Sequence, residues 1–183
     1  MQAGQPLSHT TDPLWQRIAA HPIGSHTAAL SFTRRLAREN LWSADHAAAV
    51  VMEYRRFCYL ACVHDGDITP SDAVDQAWHL HLTYSRDYWE HFCPHVLRRR
   101  LHHGPTEGAA GDAARFLQQY VETLALYGAV FGQPAPAQVW PLPADRFGNA
   151  AAAVRIDGSQ FFLVRKRSLP GRLLRIFARP GLR

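Results

Sequence analysis

The chain has 183 residues and a formal net charge of +5, and 47% of its residues are hydrophobic. A length of roughly 100–200 residues is typical of a single domain. The hydrophobic fraction, together with five Trp and nine Phe, predicts a packed core and excludes an intrinsically disordered chain.

The N-terminal segment and the cysteines predict a cytoplasmic protein. Residues 1–6 have neither the basic region nor the apolar core of a secretory signal. The longest apolar runs fall far short of the ~20 residues that cross a bilayer, so no transmembrane segment is expected. Cys58, Cys62 and Cys93 are odd in number and lack a Cys-x-x-Cys spacing. This favours reduced thiols over a disulfide framework.

Start and stop signals along the chain predict about five helices. Asp12 followed by Pro13 starts the first helix. Ser43 is a favourable N-cap for the third. The fourth is predicted to start with Thr69 at its N-cap and to be ended by Pro94. The five predicted ranges are 12–20, 25–40, 44–65, 70–92 and 112–131.

Beyond these helices the composition changes. Four prolines between residues 134 and 143 predict an extended segment. Asp157-Gly158 is a preferred two-residue turn, and the runs 152–156 and 159–164 on either side of it predict one β-hairpin. The expected fold class is therefore mainly α, a single bundle-like domain of about five helices with a short C-terminal hairpin and a basic tail. Its predicted parts are a flexible N-terminus (1–11), a helical domain (12–133), the Pro-rich segment and hairpin packed on it (134–164), and the tail (165–183).

The tail accounts for the net positive charge. Residues 165–183 contain seven basic residues and no acidic one, so residues 1–164 carry −2. Apolar residues alternate with these charges, a pattern that could contact an acidic protein partner, an anionic membrane surface or nucleic acid. Nucleic acid is the least favoured of the three, and a flexible, solubilising tail is the alternative to all of them.

Six of the eleven histidines lie between His79 and His103. On a straight helix His79 and His81 point about 200° away from each other, so they cannot jointly hold one ion there. His79 shares a polar face with Asp75, one helical turn earlier. His81 falls near the centre of the opposite, aromatic face. The spacing therefore separates the two histidines.

Asp75 and His79, completed by His102 or His103 from the following loop, form the candidate metal site. Zn or Fe suits such mixed imidazole and carboxylate ligands. His81 is an alternative ligand if the helix is kinked or bulged between the two histidines. A plainer interpretation stays open, in which the polar face is a solvated, salt-bridged surface and His81 is a hydrogen-bonded core histidine. Beside three arginines, His102 and His103 could equally extend a basic surface.

The run Asp75-Gln76-Ala77-Trp78-His79-Leu80-His81, followed by Leu101-His102-His103-Gly104-Pro105, resembles the bacterial glycine-rich domain-containing protein family. That family is similar to the N-terminal region of plant glycine-rich domain proteins, with their Asp-x-x-Trp-His-x-His signature. The resemblance covers about residues 12–140, although the glycine-rich extension is missing. It implies a helical domain, and it makes Asp75, Trp78, His79, His81 and one of His102 or His103 the residues to examine together. It implies no established activity.

Two functions from different classes follow. The first is a metal-binding helical protein, which is enzymatic if the ion keeps an open position for water or a small substrate. The second is a non-enzymatic protein–protein interaction module with structural histidines. The sequence has no Gly-rich phosphate loop and no Gly-x-Ser-x-Gly motif. No catalytic residue is therefore assigned, and no organic cofactor is expected.

Overall fold

The computed structural model describes residues 9–25, 27–104, 109 and 111–148. They belong to the first of the two units into which the chain divides, Met1–Ala150. The first element of the described residues is a 3₁₀ turn at His9–Thr11. The α-helices are α1 (Pro13–Ala20), α2 (Phe32–Asn40), α3 (Ala44–Val63), α4 (Asp72–Thr83), α5 (Asp112–Phe131) and α6 (Pro143–Gly148), and the π-helix Asp87–Leu97 lies between α4 and α5.

The expected fold class is corrected by this helix content. The described ranges contain six α-helices and one π-helix, where about five helices were expected, and they contain no β-strand. The predicted hairpin at 152–164 and the basic tail at 165–183 both lie outside the described residues. None of the helices that the structure describes is both long and apolar enough to span a membrane.

Local capping explains where most helices start. Asp12 accepts a hydrogen bond from the Leu14 amide at 2.7 Å, and Ser43 accepts one from the His46 amide at 3.1 Å. Both caps were predicted, because an oxygen-bearing side chain at the N-cap satisfies an amide that the helix leaves unpaired. Helix α2 is shorter than predicted, since its N-cap is Ser31.

The N-cap predicted for the fourth helix is wrong. Ser71 caps α4 by accepting from the Val74 amide at 3.2 Å. Thr69 instead bonds to α5: its amide donates to Thr123 Oγ1 and its hydroxyl to Gln119 Oε1, both at 3.0 Å. Thr69 therefore makes tertiary hydrogen bonds to α5 and does not cap α4.

The single helix predicted over 70–92 is broken in the structure. Helix α4 ends at Thr83, whose hydroxyl donates to the Leu80 carbonyl at 2.7 Å, a side-chain bond of the kind that bends helices. The chain then continues as a π-helix, and Pro94 lies inside that helix instead of ending it. The break turns Asp87 back towards His81. On a straight α-helix, two residues six apart would be separated by about 240° around the helix axis and by about 9 Å along it.

Helix α3 is the centre of the core. It contacts α1, α2, α4, α5 and the π-helix, and nine of its residues are buried. One of them is a carboxylate: Glu53 is 3% exposed, and it accepts from Arg56 at 2.7 Å and from Trp140 Nε1 at 2.9 Å. The Trp140 bond attaches the proline-rich segment 134–142 to α3. The cysteines are free, as predicted.

Candidate metal centres

Two groups of three side chains in the described residues have the composition and spacing of a metal site. The outer group is Asp75, His79 and His103, and the inner group is His21, His81 and Asp87. In each group, one potential ligand atom from every residue lies within 4.8 Å of the others. Imidazole nitrogens and carboxylate oxygens are the donor set expected for Zn²⁺ or Fe²⁺.

The outer group joins α4 to the loop after the π-helix. Asp75 Oδ1 lies 2.8 Å from His103 Nε2, and Asp75 Oδ2 lies 3.8 Å from His79 Nδ1. The centres of the two imidazole rings are 4.4 Å apart. The His79 side chain is 50% exposed, whereas those of Asp75 and His103 are 26% and 17% exposed. The group is therefore a half-buried site at the surface.

A buried hydrogen-bond chain positions the loop that carries His103. Trp78 Nε1 donates to the Tyr88 hydroxyl at 2.9 Å, and that hydroxyl donates to the Leu101 carbonyl at 2.5 Å. The Trp78 ring also contacts the His103 ring edge-on, with centroids 4.5 Å apart. The reach of His103 towards Asp75 thus depends on core residues as well as on the loop.

The outer group borders an open cavity of about 640 Å³, which Asp75 and His103 line. Arg115 and Arg146 line the same cavity. The Nη1 atom of Arg146 is buried and has no hydrogen-bond partner among the described residues. Small-molecule sites in proteins typically combine such a concave surface with a few convergent polar groups.

The inner group lies where α1, α4 and the π-helix meet. Asp87 Oδ2 is 3.0 Å from His81 Nε2, and Asp87 Oδ1 is 3.1 Å from His21 Nε2. The other ring nitrogen of His81, Nδ1, lies 2.8 Å from the Tyr54 hydroxyl. His81 is fully buried, and the side chains of His21 and Asp87 are 11% and 19% exposed.

The environment of the inner group sets its protonation at neutral pH. Burial lowers the pKa of His81 and outweighs the opposing effect of the neighbouring carboxylate. Burial alone would raise the pKa of Asp87, but hydrogen bonds and charge from His81 and His21 outweigh it and lower that pKa to about 2. At pH 7 the group therefore combines a neutral His81 imidazole with an ionised carboxylate.

The structure divides the sequence-predicted site residues. It brings together Asp75, His79 and His103, and it places His81 in the other group, as the helical geometry required. His102 belongs to neither group, because its ring faces Trp89 with centroids 5.4 Å apart.

Sequence reasoning missed His21 and Asp87. His21 lies at the end of α1, far from the histidine-rich stretch. Asp87 lies six residues after His81, a spacing that brings two side chains together only when the helix is broken between them.

Fold and site together define a helical protein with two His/Asp groups suited to metal ions. A family profile described as UCP032817-like matches residues 24–115, half of the chain, and the chain belongs to this uncharacterised family. The resemblance to glycine-rich domain-containing proteins was therefore wrong, since the motif run 75–105 lies inside the match to a different family. Comparison with curated proteins and with solved structures gave no match.

Proposed function

We propose that this protein binds one Zn²⁺ or Fe²⁺ ion at the outer group, with Asp75, His79 and His103 as ligands. The observation that carries the proposal is the convergence of a loop histidine on an aspartate–histidine pair one helical turn apart. His103 follows His79 by 24 residues, yet its Nε2 lies 2.8 Å from Asp75 Oδ1. Two imidazoles and one carboxylate are a common ligand set in catalytic zinc sites and in non-haem iron sites.

The surroundings favour a functional ion over a merely structural one. Three protein ligands leave at least one coordination position open, and the exposed side of His79 gives solvent access to it. An ion with an open position can activate a bound water or polarise a substrate oxygen. The adjoining cavity offers room for a small molecule, and its wall carries two arginines and two aspartates, Arg115, Arg146, Asp67 and Asp75.

A surface ion-pair network is the alternative explanation for the same residues. Asp72 does pair with Arg146 at 3.1 Å, as that interpretation expects of an acid on this helix face. Asp75, however, pairs with two histidines and with no arginine among the described residues. At neutral pH such histidine pairs add little to stability unless the imidazoles are charged.

The test is metal content. Tag-free wild type, His79→Ala, His103→Ala and His102→Ala are loaded with Zn²⁺ or Fe²⁺, desalted and measured by inductively coupled plasma mass spectrometry. Relative to wild type, we expect His79→Ala and His103→Ala each to lose one equivalent. His102→Ala is the matched control, because it removes the adjacent imidazole without touching the group, and it should lose none.

Equal metal content in all four proteins would overturn the proposal. An absence of metal from every sample would favour the interaction module, and the search would then turn to protein partners. If the expected losses are found, loaded wild type and His79→Ala can be compared for hydrolysis of small esters, since the cavity has room for such substrates.

A further inference from the structure

We propose that the inner group, His21, His81 and Asp87, is a second metal site, which holds a structural divalent cation such as Zn²⁺. Its ligands come from three separate elements: the C-cap of α1, the last turn of α4 and the first residue of the π-helix. An ion at this place would cross-link all three. That is the usual role of a buried zinc site, in contrast to the open outer group.

The ring of His81 is already oriented as a metal ligand. Its Nδ1 is held by the Tyr54 hydroxyl at 2.8 Å, and this leaves Nε2 directed at Asp87 and His21. Metal-binding histidines typically hydrogen-bond through the second ring nitrogen in this way, which fixes both ring orientation and tautomer. Tyr54 is fully buried, so water does not compete for this bond.

His21 is held in place by a separate set of contacts. Arg55 donates to the carbonyls of Ala19 and His21, the latter at 2.8 Å, and so fixes the backbone at the end of α1. The His21 ring packs on Phe92 with centroids 5.2 Å apart. The Gly24 amide lies 3.4 Å from Asp87 Oδ2 and orients the carboxylate. All three ligands therefore have supporting partners outside the group.

The charge of the group favours a cation. The Asp87 carboxylate faces two imidazoles, and an ion at their centre would replace the hydrogen bonds that the imidazoles now donate to it. The nearby Arg55 guanidinium opposes a cation, but its two carbonyl bonds direct it at the backbone of α1. Three protein ligands leave a fourth position, which the second Asp87 oxygen or a water could fill.

A metal-free hydrogen-bond network is the competing explanation, and the two explanations differ in which ring nitrogen of His81 carries the proton. A carboxylate only accepts, so without metal His81 carries its proton on Nε2 and its Nδ1 accepts from Tyr54. With a metal on Nε2, the proton lies on Nδ1 and is donated to the Tyr54 oxygen. His81 keeps one proton in both states, and the tyrosine hydroxyl reorients.

The first experiment uses the full chain with His79→Ala, in which the exposed outer group has lost a ligand. After loading with Zn²⁺ and desalting, we expect one equivalent to remain, and Zn²⁺ should raise the melting temperature. Adding His21→Gln should abolish both effects. Adding His91→Ala, an exposed histidine of the same π-helix that belongs to neither group, should change neither.

Two further measurements keep the test decisive if His21→Gln disturbs folding. Tyr54→Phe retains every ligand but removes the bond to His81 Nδ1, and it should weaken Zn²⁺ binding by roughly 10-fold or more. Imidazole ¹⁵N spectra of the His79→Ala protein should show the His81 proton moving from Nε2 to Nδ1 when Zn²⁺ is added.

The proposal fails if the folded His79→Ala protein retains no zinc. It also fails if His21→Gln retains as much zinc as its parent, or if the His81 tautomer does not change with bound zinc. Zinc bound at the outer group is the difference between wild type and His79→Ala. Zinc bound at the inner group is the difference between His79→Ala and the variant that also carries His21→Gln. Either proposed site can therefore fail without the other.

Discussion

Replacing Tyr54 with phenylalanine tests the hydrogen-bond assignment of the metal-free inner group. The substitution removes one hydroxyl and keeps a ring that is fully buried in the core. Because Asp87 can only accept, His81 Nδ1 is an acceptor and depends on the Tyr54 hydroxyl at 2.8 Å. No solvent reaches His81 to replace it.

The expected cost follows from that burial. Leaving a buried acceptor without a partner costs about 1–3 kcal/mol, and we take ~2 kcal/mol for a neutral nitrogen at a fully buried residue. For a domain of about 150 residues this lowers the melting temperature by roughly 4–8 °C. Chelator-treated Tyr54→Phe should show this loss in urea unfolding followed by circular dichroism.

Tyr84→Phe is the matched control. Its hydroxyl lies 3.2 Å from Nε of Arg35, and the Arg35 side chain is 37% exposed, so water can replace the lost partner. We expect a loss below ~0.5 kcal/mol. A Tyr54→Phe protein within ~0.5 kcal/mol of wild type, or a Tyr84→Phe protein that loses as much as Tyr54→Phe, would refute the reasoning.

Three further predictions concern parts of the fold away from the two groups. The hydrogen bond from Tyr59 holds the pKa of Asp12 below its usual value of 3.8. The stability that this ionised carboxylate provides is therefore complete above pH 3.8, the pKa in the unfolded chain, and it is lost as the pH falls through the lower pKa of the folded protein. Asp12→Ala should therefore cost about 1 kcal/mol at pH 7 and clearly less at pH 2–3 in urea unfolding, whereas an unchanged difference would contradict this. Glu53→Ala leaves Trp140 Nε1 and Arg56 without their buried acceptor, and it should lower the unfolding free energy by about 3–5 kcal/mol. A loss under ~1 kcal/mol would show that the carboxylate is not needed. Leu41, at the end of α2, is 77% exposed and has a left-handed φ of 55°. Leu41→Gly should therefore raise the unfolding free energy by ~1 kcal/mol, because glycine adopts this conformation without strain. A lower thermal midpoint would count against this.

The sequence was most informative where the structure depends on neighbouring residues. Asp12 and Ser43 cap helices as predicted, because capping involves only the next three residues. The angular separation of His79 and His81 was likewise predictable, since it depends only on helical geometry. The structure accordingly places these two histidines in different groups.

The break between α4 and the π-helix could not be predicted from the apolar pattern. Aromatic residues continue on both sides of it, with Trp78 before and Tyr88 after, so the pattern of a single helix is not interrupted. Thr69 was misassigned for a related reason: its two bonds to α5 are tertiary, and no local pattern reports them. Asp87 and His21 were missed because they meet across 66 residues.

The two groups are connected through Tyr88, which follows Asp87 at the start of the π-helix. The backbone of Asp87 and Tyr88 therefore serves both groups: one side chain faces His81, and the other bonds to Trp78 and to the loop before His103. A cation in the inner group would fix the start of the π-helix and, through it, the position of the Tyr88 hydroxyl. The half-buried outer group would then depend on a rigid buried support, the arrangement that holds a ligand set within about 0.5 Å of its working geometry.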